Sequence, residues 1–332
     1  MKANLITRIR KLVSSRRSKP ATLQYFQRRL FQGLSLLLLA FPAALPYMAN
    51  AADVTWDGDT SFDWNTGSNW VGDIAPATSG DRAVFDAAGT GTITGDATVE
   101  QIRFSGSAGS FILGTLNTDT ITFSNQNDAS INIEMLTGSA AQTVAADLTV
   151  ENDAASDVSI VNRDTTNALT ISGDYIKPGN TGTARLEFGV LGTSTTTGVI
   201  NMSGDVINNG TGILQLFTGG NTTLNLSGQV EQQGSNVMQT ILLDSSTINV
   251  TGSGQLGPGI MSIRQGTLNF DNAGTVNSFD NNITLGSATQ ADGGNATLTM
   301  ASGVVVDLNS SLIYNTSTTP GVANTATISG DG

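Results

Sequence analysis

One short phrase returns along much of the chain: Leu169-Thr-Ile-Ser-Gly173, Ile200-Asn-Met-Ser-Gly204, Leu224-Asn-Leu-Ser-Gly228 and Ile248-Asn-Val-Thr-Gly252. A looser copy, Leu268-Asn-Phe-Asp-Asn-Ala-Gly274, is followed by Leu298-Thr-Met-Ala-Ser-Gly303 and Ala326-Thr-Ile-Ser-Gly330, so the glycines stand 31, 24, 24, 22, 29 and 27 residues apart. Each copy runs apolar, polar, apolar and then turns, the pattern of a short strand with one buried face. A period of about 20–50 residues belongs to solenoids and arrays, because a unit of that size cannot bury its own apolar face.

A second strand precedes each phrase after the first: Leu186-Glu-Phe188, Leu214-Gln-Leu216, Ile241-Leu-Leu243, Met261-Ser-Ile263, Ile283-Thr-Leu285 and Ser311-Leu-Ile313. The stretch joining the two varies in length and holds Gly219-Gly220 in one repeat and Gly293-Gly294 in another. Each repeat therefore has at least two strands and two turns. Stacking equivalent strands from successive coils builds parallel ladders around a continuous core, and longer loops bulge from the side. Leu224 and Leu226 are expected to point inward, in register with Ile248 and Val250. Composition agrees with an all-β chain: 39% of residues are hydrophobic, only 13% are charged, and beyond residue 52 Thr, Val and Ile alternate with Asn, Ser, Gly and Asp.

Charge is divided sharply. Residues 1–52 hold nine of the 15 Lys and Arg and no Asp or Glu, which leaves six basic against 27 acidic residues, a net charge of −21, over residues 53–332. Such a surface repels nucleic acid and anionic lipid, so no nucleic-acid partner is expected. The basic residues 1–33 lead into Leu34-Ser-Leu-Leu-Leu-Leu-Ala-Phe41, an apolar run too short to span a bilayer. Pro42 and Pro46 break it, and Ala49-Asn50-Ala51 has the small-x-small form of a cleavage site. Residues 1–51 thus read as an export signal with a long basic start, cut beside Ala49 and Ala51, with the export machinery as its partner. Arg28-Arg29-Leu30-Phe31 resembles the core of a twin-arginine signal, while Gln27 and Gln32 depart from the fuller pattern; general and twin-arginine export both fit.

All three tryptophans, Trp56, Trp64 and Trp70, fall within 15 residues. A solenoid exposes an open coil at its end, and an atypical terminal segment must cover it. Aromatic side chains that bury about 150–250 Å2 each suit that lid. The alternative use of the three indoles is carbohydrate stacking on exposed ring faces. The tryptophans are followed by Pro76, Gly80-Asp81 and Ala83-Val-Phe85. This opening, with the later Gly266-Thr-Leu-Asn-Phe270 and Thr223-Leu-Asn-Leu-Ser-Gly228, resembles the bacterial autotransporter-associated β-strand repeat proteins over residues 54–332. The resemblance implies a right-handed parallel β-helix, secreted or held at the bacterial outer surface. It also implies a C-terminal barrel or sorting tail, whereas Ser329-Gly-Asp-Gly332 directly follows a repeat phrase. The chain therefore reads as an N-terminal fragment whose last coil is open and inclined to end-to-end self-association.

Candidate chemistry is sparse. With no His and no Cys, imidazole acid–base catalysis, a Ser-His-Asp triad, thiol nucleophiles and His or Cys metal sites are excluded. Gly89-Thr-Gly91 lacks the Lys-Ser/Thr pair and the helix of a phosphate loop. Asn117-Thr118-Asp119 matches one element of the polygalacturonase signature, but the Asp-Asp pair and Gly-His-Gly are absent, so it reads as a turn. Asp57-Gly58-Asp59 with Asp63 spaces carboxylates as in a calcium loop but lacks its glycine and closing Glu. Gly173-Asp174 and Gly204-Asp205 recur once per coil, as turn chemistry or as a carboxylate ladder. Asn-x-Ser/Thr triplets such as Asn201-Met-Ser203 and Asn249-Val-Thr251 reflect composition. No catalytic residue, cofactor or metal ligand is assigned.

The expected organisation is a signal over 1–51, a Trp-rich cap segment over 52–90 and β-solenoid repeats over 91–332. The expected function is a non-enzymatic secreted or cell-surface passenger or stalk, meeting an extracellular polysaccharide or another surface partner. The alternative is a β-helix carbohydrate-active enzyme using Asp or Glu with an arginine such as Arg185 or Arg264. Charged residues clustered on one face would favour the enzyme, and along the sequence they are scattered.

Overall fold

The structure, a computed structural model, describes residues 52–76, 80–124, 131–151, 157–179, 182–190, 198–232, 238–242, 245–257, 259–272, 276–279, 282–286, 294–308, 311–314 and 325–330. The residues read from the sequence as an export signal, including Leu34 to Phe41, Ala49 and Ala51, lie outside these. So do Leu243, Gly274, Gly293 and Gly332.

The chain coils as a parallel β-solenoid of about eight turns. One coil shows the plan: Ala184–Phe188 runs in the first sheet, Val199–Met202 in the second and Val206–Asn208 in the third, after which Leu214–Thr218 returns to the first. Each strand pairs in parallel with its equivalent in the next coil. The first sheet has 11 strands, the second 10 and the third 6. Seven of the ten strands of the second sheet are the recurring phrases, Gly91–Ile93, Phe111–Leu113 and Gln142–Val144 being the other three, and the first sheet contains the second set of strands read from the sequence.

The third sheet adds a strand that the sequence reading, at least two per repeat, did not place. It comprises Ala97–Val99, Thr120–Phe123, Asp147–Val150, Tyr175–Lys177, Val206–Asn208 and Val230–Gln232. Its strands are short, and in Tyr175–Lys177 the inward positions are Tyr175 and Lys177, with the apolar Ile176 between them half-buried. Such a strand carries no apolar alternation to read. Farther along, the sheet narrows to a bridge between Gln229 and Gln255 and reappears as the pair Val276–Phe279 and Val305–Leu308.

The core follows from register. Leu169, Ile200, Leu224, Ile248, Leu268 and Leu298 pair in sequence, as do Ile171, Met202, Leu226, Val250, Phe270 and Met300. All but the half-buried Met300 are enclosed. Leu224 and Leu226 stand opposite Ile248 and Val250 as expected. The outward position between the two columns forms an amide ladder. Asn225 Nδ2 donates to Asn201 Oδ1, Asn249 to Asn225 and Asn269 to Asn249, each at 2.8 Å. Thr299 Oγ1 donates to Asn269 Oδ1 at the far end.

The glycine that closes the phrase is required by close approach. Between the second and third sheets the corner is so tight that a Cβ on Gly204 would collide with the carbonyl oxygen of Gly173, and one on Gly228 with that of Gly204. In the following coil the corner changes shape, and Gly252 takes φ +58°, which favours glycine for a different reason.

The tryptophans close the first coil. Asp53–Trp56 pairs in parallel with Arg82–Phe85 at the edge of the first sheet. The neighbouring edge, that of the second sheet, is covered by the stretch before Trp64: Thr94 N donates to Phe62 O and Trp64 N to Thr94 O.

Leu226→Asp is expected to lower the melting temperature steeply or prevent folding. It removes a buried Leu worth about 1.5–3 kcal/mol and encloses a charge among apolar side chains. A thermal melt matching that of the parent would contradict this register.

Candidate functional site

Stacking places the side chains able to bind or react in columns. The residues at or just before the start of the third-sheet strands, Asp96, Thr120, Asp147, Asp174, Asp205 and Gln229, form one column. The two Gly-Asp pairs noted in the sequence both fall here, and each carboxylate caps the next coil. Asp96 Oδ1 accepts from Thr120 N at 2.8 Å, Asp147 Oδ1 from Asp174 N at 3.0 Å, Asp174 Oδ1 from Asp205 N at 2.8 Å and Asp205 Oδ1 from Gln229 N at 2.7 Å. Ladder and turn are therefore the same arrangement. Burial pushes the Asp174 carboxyl above its ordinary range against the lowering effect of the Asp205 N–H, and repulsion from Asp147 and Asp205 adds to the rise. Among the described residues no three His, Cys, Asp or Glu side chains converge as a metal site.

Asp63 and Asp119, also singled out in the sequence, shape turns. Asp63 Oδ1 accepts from Asn65 N at 3.0 Å and its Oδ2 from Thr66 Oγ1 at 2.9 Å. Asp119 Oδ2 accepts from Thr115 N at 2.7 Å across a turn in which Asn117 has φ 57°. Asp164, not anticipated, is the most engaged. Burial alone would raise its pKa, but the N–H groups of Asn167, Gly138 and Thr166 hold it below the usual value.

The fold gathers arginines that are far apart in the chain. Arg82, Arg103 and Arg185 lie on first-sheet strands, and Arg163 directly follows one. Glu134, buried between two neighbours, joins Arg163 Nε at 2.7 Å and Arg103 Nε at 3.3 Å. Arg82 pairs with Asp53. The half-exposed Arg185 reaches Asp157 at 3.9 Å and lies 5.1 Å from the centre of the Phe217 ring. Charge that is scattered in sequence is thus clustered in space, as ties between coils. Arg264 stands apart at the end of Ile260–Ile263, its N–H bonded to Leu242 O at 3.1 Å.

Trp56, Trp64 and Trp70 are only 3%, 2% and 0% exposed. Trp70 meets Trp56 and Trp64 edge to face at centroid distances of 5.0 and 4.9 Å, and Phe85 packs against all three. Their ring faces are occupied within the protein. The hub of this segment is a residue that sequence reasoning passed over. Buried Asn69 accepts from Thr60 N and Ser61 N and donates to Ser61 Oγ and Asp63 O, fixing the loop that carries the indoles. Its place beside Trp70 is the only signal the sequence offered.

A concave feature of the outer surface, among the described residues, lies on the second sheet. An open trough of about 810 Å3 follows the amide ladder past Asn225, Asn249 and Asn269 to Thr299 and Ser329, with Asp271 and Ala301 alongside.

The two perturbed carboxylates give opposite pH signatures. Asp174 binds its proton more tightly folded than unfolded, so its contribution to stability grows as pH falls through its raised folded value. Asp164 is held low, so its contribution is present above the ordinary carboxylate value and lost as pH falls through its folded value. Asp174→Asn is therefore expected to make the melting temperature fall more steeply with acid than in the parent, and Asp164→Asn to destabilise near neutrality and flatten the acid limb. Parallel pH–stability curves for parent and both variants would contradict these assignments.

Compared with protein-family profiles, curated proteins and solved structures, the chain matches none.

Proposed function

We propose that the chain is a non-enzymatic β-helical passenger or stalk, exported and carried at a bacterial cell surface in the manner of the autotransporter-associated repeat proteins it resembles. One observation carries this reading: the charged side chains act as ties between successive coils. The column Asp96, Asp147, Asp174 and Asp205 caps four backbone N–H groups, and Glu134 links Arg103 to Arg163. A carboxylate bonded in this way stabilises the wall of the solenoid and is poorly placed to exchange protons with a substrate. The strongly acidic composition beyond residue 52 supports the reading, since it keeps an extracellular surface solvated.

The enzymatic alternative draws on the gathering of arginines on the first sheet, where Arg185 has an exposed guanidinium beside Asp157. The two readings separate in one assay. Purified protein incubated with neutral and acidic polysaccharides is expected to release no new reducing ends and no unsaturated ends, and Arg185→Ala to change nothing. Depolymerisation lost in Arg185→Ala would establish the enzyme. Export makes a separate prediction: protein recovered from outside the cytoplasm should begin within residues 50–53 on N-terminal sequencing. A start elsewhere would place the cut away from Ala49 and Ala51.

A further inference from the structure

The outer face of the second sheet carries two uncharged columns. One holds Thr223, Thr247, Thr267, Thr297 and Thr327. The other, two residues along each strand, holds Asn225, Asn249, Asn269, Thr299 and Ser329. Neighbours within a column are about 4.8 Å apart, and the two columns are separated by about 6.6 Å along the strand. A primary amide has two N–H donors and two acceptor lone pairs. The ladder uses one of each on Asn225 and Asn249, with 2.8 Å bonds to the coils on either side. The rest of each amide is held at a fixed orientation and repeats at every coil. The trough of about 810 Å3 runs along this second column.

We propose that this trough binds an uncharged polysaccharide laid lengthwise, the hydroxyls of successive sugars meeting the amides and hydroxyls of successive coils. A regular row of donors and acceptors is matched by a polymer that is itself regular. A trough open along its length fits a single strand better than a flat lattice. Charge makes the same selection: of the side chains lining the trough only Asp271 is ionisable, on a segment of net charge −21, so a polyanion is repelled. The inference depends on the surface-passenger reading only for where the polymer is met; binding itself can be measured without it.

The test is affinity electrophoresis of the full chain in native gels cast with galactomannan, mixed-linkage glucan or hydroxyethylcellulose, and with alginate as the anionic probe. At least one neutral polymer is expected to retard the protein, and alginate is not. The apparent Kd should rise at least tenfold in the Asn249→Ala, Asn269→Ala double variant, with a melting curve recorded to establish its fold. Ala301→Trp, which fills the trough and leaves the ladder in place, should weaken binding as much. Gln215→Ala with Gln239→Ala, on the first sheet, should leave it unchanged. Retardation by alginate alone, by no polymer, or equally in the parent and Ala301→Trp would overturn the proposal. If the parent shortens the polymer and the trough variants do not, the binding site stands and the non-enzymatic reading falls. Retardation with the polymer recovered intact supports both.

Discussion

A strand in a parallel ladder finds partners for its backbone N–H and C=O groups only in the coils on either side. No coil of this protein is complete alone, and in-register stacking sets the terms for every side chain. Whatever occupies a position in one coil meets its equivalent about 4.8 Å away in the next. Apolar residues gain from this inside the wall, and so do amides outside it, which can donate on one side and accept on the other. Carboxylates do not, because like charges stack. The corner between the second and third sheets resolves the conflict by giving each carboxylate a backbone N–H of the next coil. Asp174, with Asp147 before it and Asp205 after it, retains the mark of that repulsion in its raised pKa.

The same constraint explains what could be read from the sequence. The phrases around Leu224 and Ile248 alternate apolar and polar residues, and stacking turns that alternation directly into a buried column, so the second sheet and its register were legible. The first sheet was legible for the same reason. The third was not: Thr120–Phe123 and Asp147–Val150 alternate but belong to no recurring phrase, Tyr175–Lys177 offers no apolar alternation, and Val206–Asn208 ends in an Asn that a sequence reading assigns to a turn. The glycines were recognised as corner residues, but the reason for Gly204, contact with the carbonyl of the coil behind it, exists only once the coils are stacked. Arg103, Glu134 and Arg163 stand about one coil apart along the chain, and no local pattern announces that they will touch.

The candidate site shows the same limit more strongly. In the sequence, Trp, Asp and Arg are the residue types that point to chemistry. In the fold the indoles are enclosed, and the carboxylates bond to backbone N–H groups and guanidinium groups. The open trough of the second sheet presents instead a row of Asn and Thr, which in a chain of this composition look like filler, with Phe270, Asp271 and Met300 beside it. Asn69 makes the point in miniature: one amide, with its oxygen and nitrogen both engaged, positions the loop that closes the first coil.

The amide ladder has a direction. Asn269 donates to Asn249, Asn249 to Asn225 and Asn225 to Asn201, so every N–H used in the row points toward the N-terminal end and every accepting oxygen toward the C-terminal end. Aligned bonds of this kind polarise one another. The row is therefore a vector drawn on the protein surface, parallel to the solenoid axis, and its two ends are electrically distinct. A symmetric partner lying across it would find no preferred sense. A polymer with chemically different ends would have one orientation favoured over its reverse.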